Sequence, residues 1–75
     1  MSRDPGEIAA EVRALLGELA GSTDPAAFQS LLDLSRFVGE CLGTSARTLA
    51  EAQSWTEVAG LAGTTKQAAW SRWHY

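Results

Sequence analysis

Apolar residues recur at helical spacing along most of the chain. Ile8, Val12, Leu15, Leu16 and Leu19 stand four, three, one and three apart. That spacing draws a single stripe on a helix and predicts one over residues 5–20. Phe28, Leu31, Leu32, Leu34, Phe37, Val38, Cys41, Leu42 and Leu49 predict a second helix from Asp24 to about Gln53. These positions cover more than one face, and a helix apolar on two sides must bury two sides. Val58, Ala59 and Ala62 give a short third helix one apolar face, and Ala69 and Trp73, four apart, do the same for a fourth. No stretch alternates β-branched or aromatic residues with polar ones, so no strand is expected.

Capping chemistry supplies the boundaries. Asp4-Pro5-Gly6-Glu7 offers a cap carboxylate, a proline at the first helical position and a Glu three residues after the cap. Asp24-Pro25 repeats the Asp-Pro start. Ser54-Trp55-Thr56-Glu57 is a full capping box, and Thr64-Thr65-Lys66-Gln67 reads as another with Gln67 as reciprocal partner, although Thr65 could equally hold the cap. Gly21 is the expected stop of the first helix. Gly43 is the one candidate break in the second, where Thr44 or Ser45 could cap a new helix. Continuity is favoured, because one interior Gly costs only about 1 kcal/mol against Ala. Gly63 falls where the chain must turn sharply, a place that commonly needs positive φ.

Composition and charge narrow the classes. A chain of 75 residues is one domain. At this size only about 60% of the unfolded surface is buried, so a disulfide, a metal or a partner chain usually helps. Cys41 is the single cysteine and His74 the single histidine, which excludes an intrachain disulfide and argues against zinc. A partner chain is left, and a homodimer is expected. No secretory signal is visible, no apolar run approaches the ~20 residues of a membrane span, and a lone thiol suits a reduced compartment. A cytoplasmic protein is therefore expected, with no cofactor and no small-molecule substrate. No nucleophile–base pair or phosphate-cradling loop stands out, so the chain does not read as an enzyme. The net charge of −3 is unevenly spread: residues 1–53 carry four Arg against eight Asp or Glu, a net −4, and residues 54–75 carry Lys66 and Arg72 against Glu57, a net +1.

The informative stretch is Ser54 to Trp73. Two short helices joined by a glycine-containing turn make a helix-turn-helix, whose second helix enters the major groove of DNA. Trp55, Glu57, Val58, Ala59, Gly63, Gln67, Ala68, Ala69, Arg72 and Trp73 carry a pattern that resembles the bacterial helix-turn-helix superfamily. It is especially similar to small actinobacterial regulators and sigma-factor-like modules. The resemblance covers about a quarter of the chain. It departs at Thr64-Thr65-Lys66, where the family has a basic residue and a Ser, and at Ala69, where Val or Ile is usual. The resemblance implies contacts to bases and phosphates by Thr65, Lys66, Gln67, Trp70 and Ser71, with Arg72 a phosphate candidate.

The residues themselves allow more than one role. Trp73 reads as core beside Ala69, and Trp55 as core or edge. Trp70 on the outer face could touch DNA or another protein chain. Gln67 could pair with adenine or serve the capping box, but not both fully. Lys66 and Arg72 are phosphate contacts or ordinary surface charges. Cys41 reads as a small core hydrophobe, and His74 as a residue of a terminal turn prone to fraying.

The expected fold is all-α: a dimerising N-terminal helical hairpin over residues 1–53, then a helix-turn-helix over 54–75 with no wing. The dimer interface is expected at Leu31, Leu34, Phe37, Val38, Cys41 and Leu42. The expected function is a homodimeric, nucleoid-associated DNA binder or transcriptional regulator. The alternative is a protein-interaction module, an adaptor or an antitoxin-like or sigma-like accessory, that does not touch DNA.

Overall fold

The computed structural model describes residues 3–75. They are helical, with no strand among them: α1 spans Pro5–Ala20, α2 Pro25–Ala52, α3 Trp55–Ala62 and α4 Lys66–Trp73. The chain divides into two compact units, Met1–Ser35 and Arg36–Tyr75, so the division falls inside α2.

The starts of α2 and α3 follow the capping chemistry, α4 takes the second of its two candidate caps, and α1 departs from it. The Asp24 carboxylate accepts from the Ala26 N–H at 3.0 Å, with Pro25 as the first helical residue of α2. Ser54 Oγ accepts from the Glu57 N–H at 3.1 Å and opens α3. At α4 the cap is Thr65, whose Oγ1 accepts from the Ala68 N–H at 3.1 Å. The Thr64 box with Gln67 as its partner therefore does not form. Gln67 becomes the second residue of the helix, one short of the reciprocal position. The box at Asp4 is also absent: its side chain makes no cap bond, and its main-chain carbonyl accepts from Glu7 and Ile8 instead.

Continuity of α2 through Gly43 has a physical reason. The Thr44 hydroxyl donates back to the Glu40 carbonyl at 3.2 Å, and the Thr48 hydroxyl to the Thr44 carbonyl at 2.9 Å. Both hydroxyls are thus satisfied inside the helix and have no need to cap a new one. Gly43 is buried, and a Cβ there would meet the Arg47 guanidinium at 3.2 Å.

In the first unit, Ala27 is buried and Leu16, Leu19, Leu31 and Leu34 are half-buried. Ile8, Val12, Leu15, Phe28 and Leu32 are exposed. In the second unit Ala46, Val58, Ala59 and Ala69 form a core, with Leu49, Ala50, Trp55 and Trp73 packed against it. Ala69 has no exposed surface. Alanines let α3 and α4 pack closely, Ala46 of α2 joins their core, and the two tryptophans pack against it. Phe37, Val38, Cys41 and Leu42 are exposed, which corrects the reading of Cys41 as a core residue.

Candidate nucleic-acid interface

The turn between α3 and α4 is fixed by its own hydrogen bonds. Gly63 adopts φ 70° and ψ 35°, the left-handed conformation that glycine enters without a Cβ clash. The Gly63 N–H donates to the Gly60 carbonyl at 3.4 Å, and the Thr64 N–H to the Ala59 carbonyl at 2.9 Å. This pair of bonds is the Schellman arrangement. Thr65 then starts α4 at once, so the spacing between the two helices leaves no slack. Gly21 provides a contrast: it ends α1 with φ −85° and ψ −5°, a conformation open to any residue.

Helical geometry sorts the side chains of α4. At about 100° per residue, Lys66, Trp70, Gln67 and Ser71 share one arc of about 140°; Ala69 and Trp73 adjoin it on the Lys66 side, and Ala68 and Arg72 lie opposite. The first four are exposed. Lys66 makes no ion pair and the Gln67 amide no hydrogen bond among the described residues. The Thr65 oxygen is occupied as the cap acceptor, which leaves its O–H free to donate. Arg72 does not join this face. It lies on the far flank, with its guanidinium carbon 5.3 Å from the centre of the Trp73 ring, within cation–π range.

Trp70 is 48% exposed, and one of its ring faces is taken. His74 stacks on it with ring centroids 3.8 Å apart and planes 6° from parallel. The His74 Nδ1–H donates to the Trp70 carbonyl at 2.6 Å, an assignment the carbonyl dictates because it can only accept. His74 is the half-buried C-cap residue of α4. The Tyr75 ring lies with its centroid 4.1 Å from that of His74, the planes tilted by 33°.

Sequence reasoning missed Arg47. Its guanidinium donates to the Trp73 carbonyl at 3.0 Å and to Thr44 Oγ1 at 3.4 Å. A cation at the carbonyl end of a helix complements the dipole there and satisfies a carbonyl left without a helical partner. Arg47 thus ties the end of α4 to α2. The one legible signal is Gly43 one turn earlier, which leaves room for the guanidinium. The acceptor is a main-chain carbonyl 26 residues away and has no sequence signature. Arg47, Glu51, Trp55 and His74 line an open groove of about 510 Å³. An apolar groove of about 230 Å³ runs between Leu42, Leu49, Val58, Leu61 and Trp73.

No group of three or more His, Cys, Asp or Glu side chains among the described residues could hold a metal ion. None of their helices is long and apolar enough to cross a membrane. Compared with protein-family models, with curated proteins and with solved structures, the chain matches none.

Proposed function

We propose that this protein binds double-stranded DNA as a homodimer, using α3, the Gly63–Thr65 turn and α4 as a helix-turn-helix with α4 in the major groove. The observation that carries this reading is the asymmetry of α4. Its inner face is fixed by Ala69, Trp73 and the Arg47 bond, while its outer face presents Lys66, Gln67, Trp70 and Ser71 to solvent. A rigid helix with unused donors at its N-terminal end suits contact with base edges and phosphates. Thr65 takes the capping duty, so the Gln67 amide is free to offer a donor and an acceptor to adenine.

The second unit carries Arg36, Arg47, Lys66 and Arg72 against Glu40, Glu51 and Glu57, a net +1. One such unit neutralises few phosphates. Two copies held together raise affinity through effective concentration. The exposed side chains of Phe37, Val38, Cys41 and Leu42, continued along α2 by Leu34 and Leu31, are the proposed surface for a second copy. A nucleoid-associated or regulatory role follows from this reading.

Fluorescence anisotropy with a mixed-sequence duplex of about 30 bp, three helical turns, tests it. The double substitution Lys66→Ala/Gln67→Ala should weaken binding at least about tenfold if each side chain contributes about 1 kcal/mol. Undiminished affinity would remove α4 from the interface. The rival reading, an interaction module that leaves DNA alone, is favoured by the His74 ring that covers one face of Trp70. It predicts no association with the duplex even at low salt.

A further inference from the structure

We propose that the open edge of α1 docks a basic amphipathic helix from a different protein. Three observations on that helix lead there. The first is the state of its apolar stripe. Leu16 and Leu19 are half-buried, whereas Ile8, Val12 and Leu15 are 42%, 45% and 61% exposed. Around the helix the stripe runs from Leu15 at one edge to Leu16 at the other, so its most exposed residue marks one edge and a half-buried one the other, and its N-terminal half, Ile8 and Val12, is open as well.

The second is where the charges fall. At about 100° per residue, Glu11, Glu18 and Glu7 follow one another around the helix on the Leu15 side of the stripe. Arg13 lies beyond Leu16, on the sheltered side. Among the residues of α1 the open apolar edge is therefore bordered by carboxylates. The third is that this border already holds a cation: Arg3 pairs with Glu11, both side chains more than half exposed. Glu7 and Glu18 have no ion-pair partner among the described residues.

Charge decides between occupants. Residues 1–35 carry two Arg against six Asp or Glu, a net −4. A second copy would bring carboxylates to carboxylates, with Arg13 and an Arg3 already paired to Glu11 against three. DNA and anionic lipid are repelled for the same reason. An apolar stripe with a carboxylate border is matched by a helix whose own apolar stripe is bordered by Lys or Arg. From Ile8 to Leu19 the stripe runs about 16 Å at 1.5 Å per residue, enough for about three turns of partner helix. An interface of this length belongs to the small, transient class. Docking at α1 does not depend on DNA binding by α4 and holds under either reading of that helix.

The test is an amide-resolved NMR titration of the full chain with a synthetic helix of Leu and Lys, Leu placed at helical spacing. Saturable shifts confined to α1 and its neighbours are expected. A Ser/Lys peptide of equal charge should bind at least about tenfold more weakly, which separates docking from bulk attraction. Neutralising Glu7→Gln, Glu11→Gln and Glu18→Gln together should weaken the Leu/Lys peptide about tenfold, as three border pairs of a few tenths to 1 kcal/mol each imply. Arg13→Gln on the sheltered side should leave its affinity unchanged. These positions are exposed, and far-UV circular dichroism checks that the helices survive. Equal binding of a Leu/Glu peptide, shifts that bypass α1, or unchanged affinity in the triple variant would overturn the proposal. So would a dimer, measured by sedimentation, that dissociates on Leu15→Ser, because the edge would then belong to a second copy. A DNA titration of the same triple variant reports on α4 separately.

Discussion

In residues 36–75 the large apolar side chains that matter, Trp55 and Trp73, lean onto a floor of alanines, and a part-buried arginine closes the end of the last helix. In residues 3–35 the helices form with equally good local signals, yet Phe28 stays 65% exposed and Ala27 is the one buried residue. The two regions differ in what their apolar faces meet, not in helix propensity. Small residues at crossing points let α3 and α4 approach; the stripe of α1 offers branched side chains and finds too little to cover them. A helix can be specified by its own sequence while its face is specified by something else, which is the physical basis for reading the first unit as a surface for partners. All three tryptophans lie in the second unit. Tryptophan fluorescence therefore follows that unit alone, while far-UV circular dichroism follows both.

The comparison can be broken most forcefully at Ala69. Ala69 is fully buried, and Ala69→Leu should overpack the second unit and cost about 1–3 kcal/mol. Leu15→Ala in the first unit should stay within about 0.5 kcal/mol. Urea melts followed by tryptophan fluorescence for Ala69→Leu and by far-UV circular dichroism for Leu15→Ala measure this; equal effects would mean that the two units are not packed so differently. Next comes Arg47→Met, which keeps the stem and removes the charged donor to the Trp73 carbonyl. A loss of about 1–2 kcal/mol in the same melt is expected, as for a charged hydrogen bond on a part-buried group.

Caps sharpen the contrast further. Thr65→Ala removes a formed cap bond and should cost about 1 kcal/mol, whereas Asp4→Ala removes a side chain that makes none and should cost less than about 0.5 kcal/mol by circular dichroism. The smallest expected effect concerns two glycines of α2. A Cβ at Gly39 meets nothing within 4 Å, so Gly39→Ala should stabilise by about 0.5–1 kcal/mol. At Gly43 the new Cβ presses on the Arg47 guanidinium at 3.2 Å, and the gain should be smaller or reversed. Equal gains at both sites would show that Arg47 moves without cost.

Much of the fold is legible in the sequence because it is written locally. The Asp24, Ser54 and Thr65 caps, the Gly63 turn and the inward pair Ala69 and Trp73 each depend on residues within a few positions of one another. The misreadings are also local. Two threonines in a row make the α4 cap ambiguous, and the choice of Thr65 is what releases Gln67. What is not legible is contact at a distance. Nothing near Arg47 in sequence points to the Trp73 carbonyl, and nothing near His74 announces that its ring will lie on Trp70. The outer face of α4 and the opposite flank on which Arg72 sits are readable from helical spacing, but the Trp73 ring beneath the Arg72 guanidinium is not.

The central claim is that α4 meets phosphates and bases with Lys66 at its leading end. The most direct test is the salt dependence of duplex affinity for the protein and for Lys66→Ala. A linear fall of log K with log salt is expected. The substitution should reduce its slope by about 0.9 for each phosphate it leaves unneutralised, hence by about two in a homodimer. Absence of binding at about 50 mM salt, or a slope that Lys66→Ala leaves untouched, would contradict it.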